Sequence, residues 1–95
     1  MEKIILRLKA NNDLSQIYIY ISNDSLYHAR KTINDILNQI EDLMLFPYMG
    51  RKVPEYNINN ISELIYKSYR IIYEVESNKI LIRRIWHSSR LLSKQ

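Results

Sequence analysis

The sequence predicts an α+β fold in which a helical hairpin packs on one face of a small antiparallel sheet, in the order β-α-α-β-β-β. Three observations carry this reading. Residues Lys3 to Lys9 alternate apolar and polar side chains with period two, as a half-buried strand does. Two later stretches, Leu14 to Ile21 and Leu26 to Met44, space their apolar residues at the helical period. The last third, from Tyr66 to Arg90, holds two β-rich runs around a polar turn, the pattern of a hairpin.

In the first run Ile4, Leu6 and Leu8 oppose Lys3, Ile5, Arg7 and Lys9. Ala10-Asn11-Asn12 ends it, and either asparagine can cap a helix by accepting from a first-turn N–H. Leu14, Ile17, Tyr18 and Ile21 then form the buried stripe of a short helix. Ser22-Asn23-Asp24-Ser25 interrupts it, with Asp24 suited to cap the next helix. That helix is the longest element, with Leu26, Ala29, Ile33, Ile36, Leu37, Ile40, Leu43 and Met44 on one side. Arg30, Lys31, Asn34, Asp35, Asn38, Glu41 and Asp42 lie opposite. Pro47 stops it, because proline has no N–H and pushes the preceding residue out of the helical region. So short a break between two helices predicts an antiparallel pair.

Tyr48 to Asn60 reads as a connection, in which the only glycine, Gly50, is expected to supply a left-handed turn. Strands follow at Ile61–Tyr66, Tyr69–Glu76 and Lys79–His87. Tyr69, Ile71, Tyr73 and Val75 share one side of the middle strand, and Arg70, Ile72 and Glu74 the other. A turn at Ser77-Asn78 pairs Val75 with Ile80 and Tyr73 with Ile82. Strict alternation then sets Arg70 opposite Ile85 and on the same side as Arg83 and His87. A one-residue slip in one strand alone would separate them.

Ninety-five residues make a single domain, 1–95, and 46% hydrophobic content with one glycine argues for order rather than disorder. The absence of cysteine excludes a disulfide framework and thiolate chemistry, and fits a cytoplasmic location. Two histidines without cysteine argue against zinc, and neither metal nor cofactor is expected. Apolar runs are too short for a secretory signal or a membrane span, so no membrane partner is expected. The net charge is +4. Residues 66–95 carry seven basic and two acidic side chains, whereas residues 1–65 carry seven and eight, so the excess belongs to the C-terminal third. A confined positive charge suggests a polyanionic partner, nucleic acid first.

Arg70 is either a solvated strand residue or a guanidinium aimed at phosphate, where its planar fork gives bidentate contacts. His87 is either structural or a group that exchanges a proton near neutral pH beside arginines. Arg51 and Lys52, with Glu55, are either connection residues or two cations and a carboxylate presented beside the sheet. Arg83 and Arg90 are further candidate contacts to an anionic target. Trp86 and the tyrosines could stack on bases, but the period-two spacing of Tyr69, Tyr73 and Trp86 suits a core.

Taken in order, these pieces resemble the RelE/ParE superfamily of type II toxin–antitoxin toxins. The resemblance runs from about Asp13 to Leu92. It rests on Asp13-Leu14 with Ile17, Tyr20 and Ile21, then Ala29 and the Ile36-Ile40-Leu43 stripe. Pro47 with Gly50-Arg51, Val53-Pro54-Glu55 and Glu63-Leu64 follow, then Tyr69-Arg70-Ile71-Ile72-Tyr73, and finally His87 with Arg90. The resemblance implies a growth-arresting toxin silenced by a cognate antitoxin, and it leaves open whether the chain is an enzyme. The ParE-like branch poisons DNA gyrase without known catalysis of its own, and the helical hairpin and Pro-x-x-Gly-Arg turn favour it. The alternative is a ribosome-dependent mRNA endoribonuclease. Its RelE-like form matches Arg70, but its two strand lysines fall on Ile61 and Glu63 and a later arginine on Ser88. Its YoeB-like form matches Glu55, Arg70 and His87, with Ser88 at the tyrosine position. In that alternative Arg70 stabilises phosphate charge while His87 and Glu55 move protons.

Overall fold

The computed structural model describes residues 2–54 and 60–88. The elements are β1 (Lys3–Leu6), α1 (Leu8–Ser22), α2 (Leu26–Glu41), a 3-10 turn (Asp42–Met44), β2 (Arg51–Lys52), β3 (Ile61–Tyr66), β4 (Tyr69–Val75) and β5 (Lys79–His87). The sheet has five strands in the order β1-β5-β4-β3-β2. The expected α+β class and the helical hairpin over one face are both present. The sheet, however, is mixed rather than antiparallel. β2 to β5 form an antiparallel meander, while β1 lies parallel to β5, with Ile4 beside Ile80 and Leu6 beside Ile82. A parallel pair needs a long connection, and here everything between the first and last strands serves as one.

The first helix starts earlier than its asparagines suggest. Arg7 is the N-cap residue, extended and without a capping side chain, and Asn11 and Asn12 lie inside α1. The reason is Ala10, which is wholly buried and continues the Leu14–Ile17 stripe back by one turn. At α2 the cap is Ser25 rather than Asp24, its side chain accepting from the His28 N–H at 3.1 Å.

The main core lies between the hairpin and the sheet. Ala10, Ile36, Ile40 and Leu43 pack on Leu64, Ile71, Tyr73, Val75, Ile80, Ile82 and Ile85. A smaller cluster of Val53, Ile61, Ile72 and Trp86 covers the other face. The middle of the sheet is therefore buried on both sides.

Tyr66 ties β3 to α2 by donating to Asp35 at 2.5 Å. This bond holds the Asp35 carboxyl below its ordinary range and pushes the Tyr66 phenol up. Burial pushes Tyr69 and Tyr73 up as well, the latter partly offset by hydrogen bonds with Gly50 and Ser62. A raised phenol contributes stability that is complete below its ordinary value near 10 and is lost as pH rises through the folded value. The urea midpoint should therefore hold steady from about pH 7 to 9 and fall above about pH 10, less steeply in Tyr66→Phe. Equal midpoints at pH 8 and 11 would refute this.

Candidate functional site

The candidate residues divide between the two faces of the sheet. On the face away from the helices, Ile61, Glu63 and Ile65 of β3 sit beside Glu74, Ile72 and Arg70 of β4. Glu63 is one of the two buried charged residues among those described, and Arg70 is the other. Arg70 Nε and Nη2 both lie 2.7 Å from Glu63 Oε1, and Arg51 Nε donates to Oε2 at 2.7 Å. One buried carboxylate thus joins β2, β3 and β4. Arg70 points at this carboxylate and is almost closed to solvent, whereas the Arg51 side chain is two-thirds exposed. Lys52, paired opposite Ser62, belongs to the helix side and is exposed.

Gly50 sets the entry to this arrangement. A Cβ there would lie 2.6 Å from the Glu63 carbonyl oxygen and would collide with the Tyr73 hydroxyl, which accepts from the Gly50 N–H at 3.0 Å. Its φ is not positive, so the expected left-handed turn is corrected: glycine is required for close approach.

The β4–β5 register matches expectation at first and then departs from it. Val75 pairs with Ile80 and Tyr73 with Ile82, but a bulge between Ile72 and Tyr73 in the ladder leaves Arg83 as the extra residue, and Ile72 pairs with Arg84. Arg70 therefore sits opposite Trp86 rather than Ile85, and Tyr69 opposite His87. Ile82 and Ile85, three residues apart, both reach the main core. Arg83 and Arg84 both act on the other face: Arg83 pairs with Glu74 at 2.9 Å, and the Arg84 guanidinium lies 4.4 Å from the Trp86 ring centroid. Arg84 also grips Asp13 of α1 at 2.9 and 3.1 Å, and Asp13 Oδ2 accepts from the Ile85 N–H at 2.9 Å.

Arg70 and Arg83 thus share a face as expected, and His87 is placed on the opposite one. His87 meets Tyr69 edge-on at 5.6 Å and lines a cleft of about 600 Å³ with Asp13, Gln16 and Tyr20 of α1. Arg70 lines a separate depression of about 510 Å³ with Arg51, Pro54, Ile65, Lys67 and Ser88. Glu55 and Arg90 lie outside the described residues. The residue missed from sequence was Glu63. Its signal is a carboxylate at the centre of the otherwise apolar strand Ile61–Tyr66.

Chemically, Arg70 and His87 open onto different depressions on the two faces of the sheet, and Glu55, the expected proton-transfer partner of His87, lies outside the described residues. Among the described residues, no group of three or more His, Cys, Asp or Glu side chains could hold a metal ion. No helix among them is long and apolar enough to cross a membrane.

The family model described as the ParE toxin of the type II toxin–antitoxin system parDE matches residues 4–92. A chain from the chromosomal ParDE system of P. aeruginosa superposes with a TM-score of 0.75 at 24% identity, covering 92% of this chain and 96% of that one. A chain of the RelB–RelE antitoxin–toxin complex from Methanococcus jannaschii superposes with a TM-score of 0.56 at 21% identity, covering 90% and 91%. No curated protein matches significantly.

Proposed function

This chain belongs to the ParE toxin family of type II toxin–antitoxin systems, and from that premise we propose that it arrests growth by binding DNA gyrase, not by cutting RNA. The observation that carries the proposal is the separation of Arg70 from His87. Arg70 is neutralised inside the sheet by Glu63, and His87 opens onto the α1 side. Proton transfer and phosphate stabilisation need both groups within hydrogen-bond reach of one substrate. A binding inhibitor needs neither. The silencing partner is a cognate antitoxin, as in the two complexes of similar fold. The competing reading, a ribosome-dependent endoribonuclease, draws on the cationic depression around Arg51, Lys67 and Arg70.

Induction in cells with two readouts separates these readings. Gyrase poisoning predicts a DNA-damage response and filamentation with intact mRNA, and purified toxin should inhibit supercoiling. Early mRNA cleavage at codons would overturn the proposal. His87→Gln should kill as well as the parent. Arg70→Ala is a confounded test because it opens a buried ion pair. The paired replacement Glu63→Leu with Arg70→Met removes both charges together, which is often neutral for stability, and it should leave killing intact. A folded double variant that no longer kills would count for the nuclease.

A further inference from the structure

The ion pairs on the face away from the helices leave positive charge over in one place. Arg83 is matched by Glu74 and Arg84 by Asp13, one carboxylate to each guanidinium. Glu63 serves two, Arg51 and Arg70. The surplus falls in the depression lined by Arg51, Pro54, Ile65, Lys67, Arg70 and Ser88. Arg70 is buried there, and the other five are exposed. Glu63 holds Arg51 by its Nε at 2.7 Å while two-thirds of that side chain faces solvent. A cation fixed in advance loses little entropy on binding. Lys67 adds a second exposed charge. Its ammonium stands 5.5 Å from the Tyr66 ring centroid, and Asp35 on that side is taken up by Tyr66 and Lys31. Lys67 also has a φ of 50°, in the left-handed region that glycine or asparagine suits better. A lysine is thus held against backbone preference, as side chains at functional sites often are.

We propose, resting on the gyrase reading above, that this depression seats the phosphodiester backbone of the duplex held by gyrase, so that the toxin touches the DNA as well as the enzyme. The lining selects the occupant. The centre of a protein–protein interface is rich in aromatic residues and poor in charge. Here three of the six lining residues are cations and none is aromatic, the bias of a surface that meets nucleic acid. Single strands are held by stacking their bases on aromatic rings, and the depression offers no such ring among the described residues. What it offers is guanidinium, ammonium and the Ser88 hydroxyl, the groups that bind phosphate oxygens without reading sequence. Ile65 and Pro54 supply an apolar margin for the sugars.

The test uses the purified full chain freed of antitoxin. Fluorescence anisotropy first follows its binding to short labelled duplexes of two unrelated sequences across a salt series. Both should bind alike, with a slope of log affinity against log salt of about −2, as for about two neutralised phosphates. Arg51→Ala and Lys67→Asn should each lower the steepness by about one and weaken binding several-fold at low salt. Asparagine suits the left-handed turn and Arg51 is exposed, so urea midpoints should stay close to the parent's. Lys52→Ala, on the helix side, should change nothing. The double variant should then bind DNA-free gyrase as the parent does, yet need more than ten times the concentration to inhibit supercoiling. Unchanged slopes, or a double variant as potent as the parent on gyrase, would overturn the inference and leave the gyrase reading standing. A parent that binds duplex but neither binds nor inhibits gyrase would overturn the gyrase reading, and support the seat for DNA by itself. Tighter binding to single-stranded RNA or to polyglutamate than to duplex would overturn the inference, and would assign the depression to a transcript or to an acidic protein.

Discussion

Glu63→Ala is expected to lower the free energy of unfolding by about 3–5 kcal/mol, the usual effect of removing one member of a buried, hydrogen-bonded ion pair. The carboxylate is closed to solvent and each of its oxygens receives a separate arginine at 2.7 Å. Its loss leaves the Arg70 guanidinium desolvated between β3 and β5 without its counter-ion at Glu63. Arg70→Ala should cost a comparable amount, because Glu63 then keeps only the exposed Arg51. Arg51→Ala should cost at most about 1 kcal/mol, since solvent screens an exposed arginine. Urea unfolding of the three variants checks the order. Equal losses for Arg51→Ala and Arg70→Ala would mean that burial does not set the strength of these contacts.

Trp86→Ala is expected to cost about 3–5 kcal/mol, as truncation of a buried aromatic does. Trp86 closes the smaller cluster over Val53, Ile61 and Ile72, and it carries the Arg84 guanidinium on its ring. Its indole N–H has no hydrogen-bond partner among the described residues. A buried donor left unpaired is itself destabilising, so Trp86→Phe should cost well under half as much as the alanine change. Circular dichroism must follow the unfolding, because Trp86 is the only tryptophan. A phenylalanine variant as unstable as the alanine one would show that the N–H is satisfied after all.

The elements were legible wherever periodicity was clean. Ile61–Tyr66 and Lys79–His87 were bounded correctly from alternation and turn residues alone, and the start of the Tyr69 strand was also correct. β2 was not legible, because two exposed residues in a connection carry no periodic signal. The parallel placement of β1 was hidden too: alternation reports which side is buried, not which neighbour is paired. The expected register of the last hairpin departs at one step, the assumption of unbroken alternation in β5. The signal against it was present in Ile80, Ile82 and Ile85 around Arg83-Arg84. Two adjacent arginines in strict alternation would drive one into the main core, whereas a bulge keeps both off it and returns Ile85 to the apolar side. That single extra residue moves His87 across the sheet. The role of Arg70 was hidden for a different reason, since its counter-ion is seven residues away and pairs only once β3 folds back on β4.

The pairing of β1 with β5 has a consequence for the order of events during synthesis. β1 is made long before β5, yet among the described residues β5 is its only sheet neighbour. Contacts this distant in sequence form late and slowly, and domains fold as units once enough chain has emerged. The hairpin of helices can assemble beforehand, but Asp13 cannot take up Ile85 and Arg84 until β5 has been made. The nascent polypeptide is thereby kept from its finished form until β5 has emerged and can close against β1.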